Sequence, residues 1–317
     1  MFKNKSIGGG AAIAIAAVLW GLDGVVLTPR LYNLNVGFVV MVLHVLPFLL
    51  MNFFLRSEYA NLKRFNRNDA AVLIAIAATG GSLGTLAIVK ALFLVNFQQL
   101  SVVVLLQKLQ PVFAILLAGI LLKEKITRRF LLWALVAVIA GYFLTFEFEV
   151  PKIASNKNSI MAALFALLAA LCFGSSTVLS KMVLNRYPFQ TVTFYRYGFT
   201  SVIMIVWVLL TRKMGQFSLI TPENGIVFLI IGITTGSGAI FLYYYGLRQV
   251  RAIVSVILEL LFPLSAIVFD YLINDTQLSA IQWISAALLV YAIVKINFRG
   301  SVPKKIWYKI KNPNRPI

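Results

Sequence analysis

The sequence predicts an all-α integral membrane protein: ten transmembrane helices folded as two inverted five-helix repeats, with both termini in the cytoplasm. Three observations predict it. Sixty per cent of the 317 residues are hydrophobic and only 12% are charged, with a mean hydropathy of +0.89, well above a soluble globular chain. The lysines and arginines gather on the connections of one side. Landmark residues of the first half return in the second at a nearly constant offset.

A membrane-crossing helix needs roughly 20 predominantly apolar residues. Windows of that size fall at 10–31, 36–55, 70–91, 99–122, 129–147, 159–181, 189–211, 225–246, 251–273 and 279–297. The expected division is a cytoplasmic N-terminus 1–9, a first repeat 10–147, an external linker 148–158, a second repeat 159–298 and a basic cytoplasmic tail 299–317. These short connections exclude a soluble domain with its own active site. The opening MFKNKS before an apolar run resembles a signal peptide, but the run reaches span length and contains Asp23. It has no small-residue cleavage site and reads as a retained first helix.

The net charge of +19 invites a nucleic-acid reading. With the N-terminus inside, however, Lys3, Lys5, Arg56, Lys63, Arg64, Arg67, Lys123, Lys125, Arg128, Arg129, Lys181, Arg186, Arg248, Arg251 and the cluster from Lys295 to Arg315 are all cytoplasmic. Only Arg30, Lys90, Lys152, Lys157, Arg212 and Lys213 fall outside. The positive-inside rule accounts for the charge without nucleic acid and implies a multi-pass protein of the cytoplasmic membrane. The tail KKIWYKIKNPNRPI, with Trp307 and Tyr308, suits an anionic inner leaflet. The single cysteine, Cys172, excludes an intrachain disulfide.

The repeat is carried by four ordered matches. Trp20-Gly21 answers Phe173-Gly174 at 153 residues, and LHVLPF (43–48) answers YRYGFT (195–200) at 152, setting His44 opposite Arg196. TGGSLG (79–84) answers TTGSGA (234–239) at 155, and Pro111 answers Pro263 at 152. Five helices per half is odd, so the second copy enters the membrane from the opposite side, as in many secondary transporters. The small residues Ala77 and Gly81, and Gly232 and Gly236, recur every four positions and read as close helix packing rather than phosphate loops.

Together with these matches, Lys90-Ala91-Leu92, Tyr245-Gly246-Leu247, the mid-helix prolines, the KEKIT turn (123–127) and Gly141 resemble the EamA-type branch of the drug/metabolite transporter superfamily. The resemblance covers residues 8 to 298, with three departures. NDTQLS (274–279) replaces the second Glu-containing turn, Trp283-Ile284 stands where glycine is usual, and His44 stands where arginine is frequent. The resemblance implies a ten-helix secondary transporter, most often an exporter of amino acids, related metabolites or drugs.

Ionisable residues within spans cost on the order of 3 kcal/mol each and are functional candidates. Here they are Asp23, His44, Lys108, Arg196, Glu259 and, less centrally, Asp270. Lys108 in LLQKLQP (105–111) precedes Pro111 as Glu259 precedes Pro263. Each proline would free the carbonyl four residues back, that of Gln107 or Glu259, toward a cavity. Lys108 is expected to face that cavity, the alternative being snorkelling or a fixed pair with Asp23 or Glu259. Arg196, flanked by Tyr195 and Tyr197, suits bidentate carboxylate binding; its alternative is an ion pair with Glu259 or Asp270. His44 could titrate or hold a structural hydrogen bond. Tyr243, Tyr244 and Tyr245 point around one helix, so at most one or two can line a cavity, and they read as interface anchors.

The function expected is a proton-coupled secondary exporter of small metabolites such as amino acids. Arg196, Lys108, His44, Glu259, Tyr195 and Trp20 would bind substrate, Glu259 or Asp23 would carry the proton, and Pro111 and Pro263 would supply the breaks. Rival readings are a hydrophobic-cation or multidrug exporter and a non-transporting membrane scaffold. The absence of Cys/His metal spacing, of a nucleophile elbow and of a phosphate loop argues against an enzyme, a metal or a cofactor. Expected partners are a small-molecule substrate, protons and the bilayer, with no nucleic acid; a homodimer is compatible with the fold.

Overall fold

A computed structural model describes residues 2–94, 103, 106–149, 157–275 and 277–300. The tail from 301, with Trp307 and Tyr308, and most of the expected linker lie outside these residues. Among the described residues the regular structure is helical throughout. In chain order we label α1 (Ser6–Leu31), α2 (Val36–Phe54), α3 (Arg67–Ala91), α4 (Gln110–Leu121), α5 (Arg128–Phe146), α6 (Lys157–Leu184), α7 (Phe189–Leu210), α8 (Pro222–Gln249), α9 (Ala252–Ile273) and α10 (Ala280–Ile296). Eight are long and apolar enough to cross a membrane; α4 and α10 are shorter apolar helices.

Local chemistry sets several helix starts. Asn35 and Thr127 each accept a backbone N–H three residues on, from Phe38 and Phe130, and Thr221 forms a capping box with Asn224. Large apolar side chains on the outside, such as Phe53 at 86% and Leu210 at 77% exposure, would be untenable in water as a continuous belt and mark the lipid surface.

Two of the expected spans are not continuous helices. The fourth turns at Lys108–Leu109 before α4 begins at Gln110, and α9 turns at Glu259–Leu260. Both turns close with a short i→i−3 bond, Leu109 N to Leu106 O at 3.1 Å and Leu260 N to Ile257 O at 3.2 Å. The following prolines cannot donate to an α-helical ladder, which explains the break. The Glu259 carbonyl, expected to open onto the cavity, instead accepts from Phe262 N at 2.9 Å. The turn has satisfied it locally.

Three helices carry π-helical stretches: Asp23–Leu27 in α1, Ala77–Leu83 in α3 and Gly232–Gly236 in α8. The last two overlap the TGGSLG and TTGSGA matches. The expected close packing at the first is real: a Cβ at Gly80 would lie 2.1 Å from Ser176 Oγ, and one at Gly81 2.2 Å from Thr200 Oγ1.

The helix contacts are symmetric between the halves. α1 packs on α8 and α9, as α6 packs on α3 and α4, while α2 pairs with its mate α7 and α5 with its mate α10. One face of the bundle gathers the basic connections. There Arg186 pairs with Asp69 at 2.6 Å, Thr191 donates to Glu58 at 2.7 Å, and Lys181 donates to the carbonyls of Leu247 and Arg248. Glu124, from the KEKIT turn, accepts from Ala252 N and Ile253 N at 2.8 and 3.1 Å, placing a carboxylate at the positive end of α9. On the opposite face Asn33 donates to Asn224, and Gln216 accepts from Asn35 N. α1 begins at the basic face, where Gly9 O meets Gly246, whereas α6 ends there. The two mates therefore run in opposite senses.

Candidate functional site

A central cavity of about 390 Å³ lies where the halves meet, within the size range of small-molecule sites. Its walls are built from repeat mates: Trp20 with Phe173, Asp23 with Ser176, His44 with Arg196, Gly80 with Thr235, Gln107 with Glu259 and Gln110 with Phe262. Residues that correspond under the repeat thus face each other across one space.

Arg196 is anchored and only partly used. Nη1 donates to Tyr244 Oη at 2.8 Å and Nη2 to Gly80 O at 3.3 Å, while the guanidinium sits 5.5 Å from the Tyr244 ring centroid. Nε has no hydrogen-bond partner and is buried, as is Ser176 Oγ in the same cavity wall. Tyr244 is held in turn by Ser180 at 2.7 Å. The Gly80 carbonyl is reachable because the residue has no side chain and lies in the π stretch.

Glu259 is held by three donors. It accepts from Gln110 Nε2 at 2.8 Å, Tyr243 Oη at 2.6 Å and Ser255 Oγ at 3.2 Å. Tyr243 also lies 2.9 Å from Thr177 Oγ1 and packs against Trp20 with ring centroids 5.4 Å apart and planes tilted by 53°. His44 donates from Nδ1 to Val40 O at 2.8 Å and stacks on Tyr197 at 5.2 Å. Asp23 accepts from Thr28 Oγ1 at 3.1 Å at the start of the first π stretch. Among the described residues, none of Asp23, Glu259, Arg196 and Lys108 forms an ion pair with another of them. The cavity therefore offers aromatic faces, two carboxyl groups, one guanidinium and several amides and hydroxyls.

The expected site is assembled in part. Trp20, Asp23, His44, Arg196 and Glu259 line the cavity. Lys108 does not: its ammonium donates to Gly141 O at 3.1 Å and to Thr145 Oγ1, and it sits 5.5 Å from the Phe146 ring. A lysine at the turn finds its acceptors at the end of α5, and it lines a second cavity of about 260 Å³ with Pro111 and Pro263. Tyr195 also points elsewhere, donating to Glu58 O at 2.8 Å beneath the basic face. In its place Tyr197 reaches the cavity. The anchor reading of the tyrosine run holds only for the exposed Tyr245, because Tyr243 and Tyr244 are buried in the site's hydrogen bonds.

Gln110 and Phe262 carry no reading from sequence, Gln107 enters there only through its backbone carbonyl, and Tyr243 only within the tyrosine run. The two glutamines carried a signal, since they lie three apart on one helical face of a lipid-length segment, and an amide there needs a polar partner as a charge does.

Comparison with known proteins identifies the family. The profile of the EamA-like transporter family matches residues 8–146 and 160–298. The riboflavin transporter ImpX of Fusobacterium nucleatum is 51% identical over 295 residues, 93% of this chain and 99% of its own. An uncharacterised transporter of Clostridium kluyveri is 27% identical over 247 residues, 74% of this chain and 78% of its own. A solved crystal structure aligns with a TM-score of 0.70 over 93% of this chain and 99% of that one at 14% identity, a likeness of fold. With the family profile covering both halves, the chain belongs to the EamA-like transporter family and is a transporter, not an enzyme.

Proposed function

We propose that this transporter carries riboflavin or a closely related flavin by alternating exposure of the central cavity. The observation that carries the proposal is a cavity that combines aromatic faces with an anchored arginine whose Nε is buried and unpartnered. Riboflavin is uncharged at neutral pH. It presents a broad planar ring, a carbonyl-and-imide edge and a chain of hydroxyls. Trp20, Tyr243 and Phe262 supply ring surfaces, Arg196 Nε supplies a donor for a ring carbonyl, and Asp23, Gln107 and Gln110 supply partners for hydroxyls. The 51% identity with a riboflavin transporter across nearly the whole chain supports the same substrate class.

The amino-acid substrate is not carried forward. Lys108 bonds to α5 instead of the central cavity, whose guanidinium and two carboxyl groups are set among aromatic walls around about 390 Å³, more ring surface than a small zwitterion can cover and a better match for a planar solute. Ten crossings, an inverted repeat and a cytoplasmic basic face complete the proposal, supported by the opposite senses of α1 and α6 and by the positive-inside rule. Asp23 and Glu259 are the groups available to carry a coupling proton, and the imposed gradients set the direction of net flux. The aromatic walls beside two carboxyl groups also favour one second reading, a hydrophobic cation as cargo.

Equilibrium binding separates these readings. Riboflavin is fluorescent, and stacking on Trp20 and Tyr243 should quench it on titration with purified protein. Saturable quenching that amino acids and lipophilic cations do not reverse is expected. Binding of the cations, with no response to riboflavin, would overturn the proposal in favour of the second reading.

A further inference from the structure

The central cavity and the second cavity share four lining residues, Gln107, Gln110, Glu259 and Phe262. They form two repeat-mate pairs: Gln107 with Glu259 and Gln110 with Phe262, each at the same offset of 152 that relates Pro111 to Pro263. The partition between the cavities is thus built symmetrically by both halves. It also coincides with the turns at Lys108–Leu109 and Glu259–Leu260, where the helical ladder is already interrupted. Such interruptions can absorb backbone rotation while the flanking helices stay rigid. The hydrogen bond from Gln110 Nε2 to Glu259 Oε2, 2.8 Å long, spans the partition and ties the halves together.

Beyond the partition the second cavity is largely apolar, with Val256, Leu260, Ala266 and Ile267 among its walls. Its polar pole is Lys108, whose ammonium is held aside by Gly141 and Thr145. A chamber of this kind suits the planar, uncharged part of a solute and not a small ion.

We infer that the four shared residues are an internal gate latched by the Gln110 to Glu259 hydrogen bond, and that the second cavity is a transit site for an aromatic, uncharged solute. Rocking of the halves would move both mate pairs together and join the two cavities. The identity of the solute rests on the flavin reading; the gate rests on the partition alone.

Two measurements test it separately. In Cys172→Ser protein, Ala266→Cys reports the second cavity, and labelling by a small water-soluble methanethiosulfonate gives its accessibility. Adding Gln110→Leu, which keeps the bulk and removes the donor, should raise the labelling rate at least fivefold. An unchanged rate overturns the gate. Ala266→Phe, at a position that lines the second cavity and not the central one, should lower riboflavin counterflow at least tenfold with riboflavin binding held within twofold. Unchanged counterflow, or an equal fall in both, overturns the transit role. Ile267→Trp gives the same reading if Ala266→Phe does not fold. Failure of the unsubstituted protein to bind riboflavin would remove the flavin reading, and the labelling result would still decide the gate.

Discussion

On the proposed reading recognition turns on Arg196, two of whose nitrogens are committed to Tyr244 and Gly80 while Nε is buried without a hydrogen-bond partner. A hydrogen bond to a charged group contributes about 1.5–3 kcal/mol. Arg196→Gln should therefore raise the riboflavin Kd by about tenfold or more, at about 1.4 kcal/mol per tenfold. Trp20→Ala removes a stacking face worth about 0.5–1.5 kcal/mol beyond its area and should weaken binding by about twofold to tenfold. Lys108→Met should leave binding within about twofold, since its partners are on α5; fluorescence titration checks all three. Asp23, His44, Arg196 and Glu259 are legible because an ionisable group in a lipid-length segment needs a partner, and Trp20 because it falls in a repeat match. Sequence misplaced Lys108 and Tyr195 because the partner rule does not say on which side the partner lies. At an interrupted helix the periodicity that would orient Lys108 is lost.

The helices themselves were legible as apolar windows, but their interruptions were only half legible. Pro111 and Pro263 announced breaks, whereas the π stretches had no warning beyond clustered small residues. The second of these, at Ala77–Leu83, turns the Gly80 carbonyl toward Arg196 and brings Gly80 against Ser176. Gly80→Ala would set a Cβ 2.1 Å from Ser176 Oγ, and such overpacking costs about 1–3 kcal/mol. We expect a lower unfolding temperature in detergent and weaker riboflavin binding, both partly restored by the double substitution Gly80→Ala with Ser176→Gly. A single substitution as stable as the unsubstituted protein would mean that α3 and α6 are not held this closely. The KEKIT turn was read from sequence as a family signature alone; its physical role is Glu124 capping α9 from the other half.

At the scale of the whole molecule, the duplication was the most legible feature, because its matches fall on Pro, Gly, aromatic and ionisable residues that cannot be exchanged freely. What the offsets could not reveal was that mates would face each other, so that Gln107 and Glu259, or His44 and Arg196, line the same space. If Glu259 carries the coupling proton, Glu259→Gln should retain riboflavin exchange at equal pH and lose the acceleration produced by a pH gradient. Retained acceleration would transfer that role to Asp23. Counterflow in proteoliposomes decides whether the cavity between the repeats carries a flavin. Vesicles loaded with unlabelled riboflavin are mixed with a trace of labelled riboflavin outside. Transient accumulation of label is expected in vesicles bearing the unsubstituted protein, at least tenfold slower with Arg196→Gln and unaffected by unlabelled amino acids. No accumulation from folded, inserted protein, or equal accumulation with Arg196→Gln, would contradict the flavin reading.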